Sequence, residues 1–70
     1  MDKHILLSRI TTREREVLGL LAQGLTSEQV GKTLNIAPST IISHRNSLRI
    51  KLKCKNCAEL ISRAYQIGLL

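Results

Sequence analysis

Between Thr26 and Leu52 the chain reads TSEQVGKTLNIAPSTIISHRNSLRIKL, two helix patterns with only Asn35, Ile36 and Ala37 between them. Thr26 and Gln29 have the capping-box spacing, in which a hydroxyl and a side-chain amide satisfy the backbone donors left open at a helix start. Val30 and Leu34 then repeat at i, i+4 and give the helix one apolar side. Asn35 suits a left-handed terminator, and Pro38 suits the first position of a new helix, where its missing N–H costs nothing. A connection this short forces two helices to cross steeply, which is the definition of a helix-turn-helix. Gly31 fits the crossing because it lets the helices approach, although it weakens its own helix by about 1 kcal/mol relative to alanine.

A 3.6-residue wheel over the second of these helices, the third of the chain, puts Ile41, Leu48 and Leu52 on a core-facing side, with His44 and Arg45 at its edges. The opposite side carries Ser39, Ile42, Ser43, Asn46, Ser47 and Ile50, flanked by Arg49 and Lys53. Such a row supplies donors and acceptors for base edges, an apolar group for a thymine methyl, and cations for phosphate. A solvated helix face has a similar composition. The helix and turn that precede it favour the reading of a helix that enters duplex DNA.

Charge agrees with that partner. Lys and Arg total 11 against 5 Asp and Glu, a formal net charge of +6, which attracts a polyanion. Arg45, Arg49, Lys51, Lys53 and Lys55 follow one another with no acidic residue between Ala37 and Ala58. Tyr65 is the only aromatic residue, whereas binders of single strands stack bases on several rings, so duplex DNA is the better fit. A chain of 70 residues makes one small domain that buries only about 60% of its unfolded surface, too little to enclose an elaborate active site. The expectation is therefore binding without chemistry and without a cofactor. No apolar run approaches the roughly 18 residues of a membrane span, and the start is too short and interrupted for a signal peptide. A soluble, cytoplasmic protein is expected.

Residues 1–10 lack a cap and a clear period, and read as a tail or the remnant of a linker; residues 11–70 form the domain. Thr11 and Glu14 make a second capping box, and Val17, Leu18, Leu21 and Leu25 follow with Gly24 as terminator, so helix one spans about Thr12 to Gln23. Arg13, Glu14, Arg15 and Glu16 read as solvated charges, with Glu14 as a cap. After Leu52 a polar KCKN loop leads to a fourth helix carrying Ala58, Leu60, Ile61, Ala64, Tyr65 and Ile67 and ending near Gly68. Its apolar positions cover more than one face, and much of that surface is expected to close the core. Cys54 and Cys57 have a C-x-x-C spacing, yet zinc needs two further ligands and the histidines are His4 in the tail and His44 on helix three. Redox chemistry of the thioredoxin type needs a strand that is absent here. Cys54 is thus expected to fill a small apolar position and Cys57 to start helix four. His44 beside Ser43 or Ser47 lacks a convergent third group, so no catalytic site is assigned.

These elements, in the order TTREREVLGLLAQGLTSEQVGKTLNIAPSTIISHRNSLRIKL and then ELISRAYQIGLL, resemble the LuxR-type (GerE-type) DNA-binding domain of bacterial transcription regulators. The likeness covers roughly Ile10 to Leu70. It implies an all-α, four-helix domain whose third helix enters the major groove and whose fourth helix forms a dimer contact, here through Ala58, Ile61 and Tyr65. By the same resemblance Ile42, Ser43 and Asn46 face bases. Thr26, Ser39, Thr40, His44, Arg45, Arg49, Lys51 and Lys53 lie along the DNA backbone, with Lys51 alternatively paired inside the domain. The chain departs from the family at Ala37, where Ser or Thr often caps, at Ile42, where Lys or Arg is frequent, at Lys53, where Gly is common, and at Cys57, where Arg is common. These departures bear on the target sequence.

The function expected is sequence-specific binding of double-stranded DNA, as the effector domain of a response regulator or quorum-type regulator. Partners expected with it are a second copy of the chain and RNA polymerase, but no membrane. Alternatives are a domain like region four of a sigma factor, a module whose basic face binds an acidic protein, and, third, a metal or redox role for the cysteine pair.

Overall fold

The computed structural model describes residues 7–70; the first six residues of the expected tail, His4 included, lie outside the described residues. Within the described residues four helices follow: α1 (Thr12–Ala22), α2 (Ser27–Leu34), α3 (Pro38–Leu52) and α4 (Cys57–Gln66). Both capping boxes form. Thr11 Oγ1 accepts from the Glu14 amide at 3.0 Å while the Thr11 amide donates to Glu14 Oε1 at 2.9 Å. Thr26 Oγ1 accepts from the Gln29 amide at 3.2 Å, and the Thr26 amide donates to Gln29 Oε1 at 2.9 Å. Helix α4 starts on Asn56, whose Oδ1 accepts from the Glu59 amide at 2.8 Å. Helix α3 has no side-chain cap: Ala37 offers none, and Pro38 removes one of the donors that a cap would serve.

All four helices end in the same way. Each is followed by a left-handed turning residue, namely Gly24, Asn35, Lys53 and Gly68. Its successor sends its amide back to a carbonyl five residues earlier: Leu25 to Leu20, Ile36 to Gly31, Cys54 to Arg49 and Leu69 to Ala64. This is the Schellman pattern, which turns the chain and drops the next side chain onto the core. Cys54 and Leu69 are buried, and Leu25 and Ile36 pack partly against the interior. Cys54 therefore holds the small apolar position expected of it, and Cys57 opens α4.

Helix α3 touches each of the other three helices. Its first half places Ile41 in a cluster with Val17, Leu21 and Val30. Its second half places Leu48 and Leu52 in a cluster with Leu18, Leu60, Ala64, Cys54, Leu69 and Ile10. Each fully buried leucine contributes roughly 2 kcal/mol by leaving water, so the helix is gripped along one side for most of its length. Ile10 is buried and Leu7 packs against the same cluster. The boundary drawn between residues 10 and 11 thus leaves outside the domain an isoleucine that the structure places in the core, because one apolar residue without a period gives no sequence signal.

Glu14, expected among solvated charges, is buried at 3% exposure. Its Oε1 also accepts from Lys51 Nζ at 2.7 Å, and Lys51 donates to the Arg9 carbonyl at 2.9 Å. Burial pushes the Glu14 carboxyl up, but hydrogen bonds from Lys51, the Thr11 amide and Ser47, with the Lys51 charge, outweigh it and hold the carboxyl at about 2. A carboxyl depressed in this way stabilises the fold above its unfolded pKa and loses that contribution as pH falls toward the folded value.

Two measurements test this packing. A Cβ on Gly31 would lie 2.5 Å from the Ile36 carbonyl oxygen, which belongs to the backbone and cannot rotate away. Gly31→Ala should gain about 1 kcal/mol of helix propensity yet lose more to this overlap, for a net loss of about 1–2 kcal/mol in urea unfolding. An unchanged or raised midpoint would contradict the close crossing. Glu14→Gln should be less stable than the parent at neutral pH by roughly 3 kcal/mol, and the gap should close between about pH 5 and pH 2. Parallel stability curves over that range would show that the carboxylate contributes nothing as an anion.

Candidate nucleic-acid interface

The grip on one side of α3 leaves the other side bare. Ile42 is 40% exposed, Ser43 and Asn46 are exposed, and Ile50, one turn further on, is 77% exposed. These residues recur at spacings of three and four, so they form a single stripe along the helix. Ser43 donates its hydroxyl to the Ser39 carbonyl at 3.2 Å, which leaves the oxygen lone pairs as the outward-facing groups. The stripe therefore offers an apolar group at Ile42, an acceptor at Ser43 and a side-chain amide at Asn46. Ser47, expected on the same row, is half-buried and turned toward Glu14, whose ionised carboxyl it helps to favour. It lies one turn before Lys51, and residues four apart share a face, so the pull of Glu14 on Lys51 carries Ser47 inward as well.

The residues expected along the DNA backbone divide into two groups. Thr26, Ser39, Thr40 and Lys53 are exposed. Because Thr26 Oγ1 accepts in its capping box, its hydroxyl proton remains available to a phosphate oxygen. His44, Arg45, Arg49 and Lys51 are half-buried, and the three cations among them are already engaged. Arg45 donates to Ser27 Oγ at 3.1 Å, joining α3 to the first turn of α2. Arg49 donates through Nη1 to the Lys55 carbonyl at 2.9 Å and through Nη2 to Asn46 Oδ1 at 3.1 Å. Lys51 is held by Glu14 and Arg9, which is the internal pairing that the sequence left as an alternative.

Beside the stripe, Arg45, Asn46, Arg49, Lys55, Asn56 and Cys57 line a shallow open cleft that contains no acidic side chain. Lys55, counted in the sequence among the basic cluster, and Asn56, offered there only as a loop residue, both join the cleft here. The cap at Asn56 brings them alongside α3. Burial raises the Cys54 thiol above its ordinary pKa, the condition in which a thiol is a poor nucleophile. Of the expected contact residues on α4, Ala58 and Tyr65 are exposed, the latter at 60%, and Ile61 packs partly on the core. They lie on one face, at spacings of three and four. Among the described residues, no helix is long and apolar enough to cross a membrane.

Comparison with known proteins agrees with this geometry. Residues 8–64 match the family model described as bacterial regulatory proteins, luxR family. The chain is similar to the transcriptional regulatory protein MctR of Rhizobium johnstonii, 37% identical over 60 residues that cover 86% of this chain and 28% of that protein. It is similar also to the transcriptional activator protein SolR of Ralstonia solanacearum, 36% identical over 61 residues, 87% of this chain and 26% of that one. The response regulatory protein YgeK of Escherichia coli is 32% identical over 62 residues, 89% of this chain and 42% of that one. The chain thus spans about a quarter of the length of the first two relatives. A matched segment reaching from Ser8 to Ala64, through all but the last two residues of α4, shows that the chain belongs to the luxR family of bacterial regulatory proteins.

Proposed function

We propose that this domain binds double-stranded DNA sequence-specifically and serves as the effector domain of a bacterial transcription regulator, of the response-regulator or quorum-sensing kind. The observation that carries the reading is the bare stripe of Ile42, Ser43 and Asn46 on a helix that contains no acidic residue. Thr26, Ser39, Thr40 and Lys53 hold phosphate around it, and Arg45, Arg49 and Lys51 add positive potential while bracing the helix. Binding needs no cofactor and no covalent step. A chromosomal partner implies a cytoplasmic location.

The exposed Tyr65 ring and Ala58 favour a second element of the same proposal, a contact between two copies through α4. Two copies would meet half-sites about one helical turn apart. The similarity to a transcriptional activator protein of Ralstonia supports a contact with RNA polymerase. An α4 of ten residues following the reading helix favours this family over a sigma-factor domain.

Duplexes selected from a random pool test the reading directly. Asn46→Ala should bind with flattened preference at one base pair, and unchanged preference would contradict the base-reading role. If about six phosphates are neutralised, log affinity should fall against log salt with a slope on the order of −5. Salt-dependent binding that is equal for all duplexes would favour a basic module for an acidic protein instead. Lys53 separates binding from folding, because its φ of 55° is unfavourable for a lysine and natural for glycine. Lys53→Gly should raise stability by about 1 kcal/mol in urea unfolding while weakening binding to all duplexes alike. A variant that is both less stable and equally tight would contradict both assignments.

A further inference from the structure

We infer that Arg49 is a positioning residue for sequence reading: its guanidinium bridges the α3–α4 loop and the Asn46 side chain, and so sets the orientation in which Asn46 meets a base. The inference rests on the proposal that α3 reads DNA and adds a role that a phosphate contact alone would not give Arg49.

Three observations lead to it. First, both terminal nitrogens of Arg49 are engaged within the protein, Nη1 with the Lys55 carbonyl and Nη2 with Asn46 Oδ1. The planar fork of arginine spans two acceptors at a fixed angle, and a lysine ammonium on its flexible stem does not. Second, the loop end of the bridge is anchored. The left-handed turn at Lys53 is closed by the Lys53 amide on the Ile50 carbonyl and the Cys54 amide on the Arg49 carbonyl, and Cys54 is buried. The cap at Asn56 fixes the next turn, so the Lys55 carbonyl lies between two ordered points.

Third, Asn46 is exposed, and among the described residues its side chain is held by the hydrogen bond that Arg49 donates and by no other. An exposed amide otherwise rotates among staggered side-chain conformers and can present either its oxygen or its nitrogen. With Oδ1 held toward Arg49, the side chain meets the groove already oriented. The Nδ2 donors stay open, and so does the second lone pair of Oδ1. Readout by a held amide is sharper than by a rotating one, because less conformational freedom is lost on binding.

The test compares the parent, Arg49→Lys, Asn46→Ala and the double variant on the selected duplex and on one changed at the base pair that Asn46→Ala identifies. The ratio of the two affinities does not depend on the fraction of protein folded, and the salt slope is measured alongside. Arg49→Lys keeps the charge, so a phosphate-only role predicts parental preference and slope. The bridge predicts a parental slope but a preference lowered about fivefold or more, toward that of Asn46→Ala. It also predicts that the double variant loses no more preference than Asn46→Ala alone, as expected of two residues acting through one contact. Parental preference in Arg49→Lys, or a further loss in the double variant, overturns the inference while leaving base reading intact. If Asn46→Ala itself changes preference nowhere, the reading beneath fails and the inference goes with it.

Discussion

The rotational setting of α3 depends on one buried carboxylate oxygen. Glu14 Oε1 accepts from the Thr11 amide, which makes it part of the cap of α1, and from Lys51 Nζ, which makes it an anchor for α3. The two roles lock the start of the first helix to the second half of the third. Once Lys51 and Ser47 are turned toward Glu14, the opposite stripe of Ile42, Asn46 and Ile50 has only solvent to face. An ion pair at this depth adds little if desolvation alone is compared with attraction. Here the carboxylate also completes a helix cap, so its hydrogen bonds are well satisfied and its ionised form is favoured. What it adds beyond stability is register: it selects one rotation of a helix whose core side is otherwise defined only by aliphatic groups.

The second device is repetition of a single helix ending. Four left-handed residues turn the chain at the ends of four helices, and the residue after each returns to the interior. This explains how a chain with almost no aromatic volume encloses a core. It also accounts for Cys54, which stands where Leu25, Ile36 and Leu69 stand at the other three ends. Lys53 is the exception among the four turning residues, a cation in a strained conformation just past the end of α3, where the proposed contact with phosphate would use it. A backbone cost borne beside a binding surface is common where function and stability ask for different residues.

Local chemistry was legible in the sequence and long-range chemistry was not. Thr11 with Glu14, Thr26 with Gln29, and the terminators Gly24 and Asn35 act within a few residues of themselves, so spacing reveals them. Pro38 and Gly31 likewise declare a helix start and a close crossing. The pairing of Glu14 with Lys51 joins residues 37 apart in the chain, and nothing in either neighbourhood announces it. The inward turn of Ser47 is hidden for the same reason, since a helical wheel gives the angle between side chains but not the rotation of the whole helix. Ile10 lacked a periodic partner, and Lys53 is a residue type that seldom adopts the left-handed region. Arg49 sits three residues from Asn46, a spacing that permits their hydrogen bond. Its second partner, a loop carbonyl, is visible only once the fold is closed.

If the bare stripe of α3 meets the duplex, as proposed, its atoms must sense DNA before any other part of the domain. A nuclear magnetic resonance titration of the isotopically labelled domain with its selected duplex would show this residue by residue. The largest shifts are expected at the amides of Ile42, Ser43 and Asn46 and at the Asn46 side-chain NH2, with the exposed side of α1 unmoved. Shifts confined to α1 or α4, with the Asn46 side chain unaffected, would contradict it.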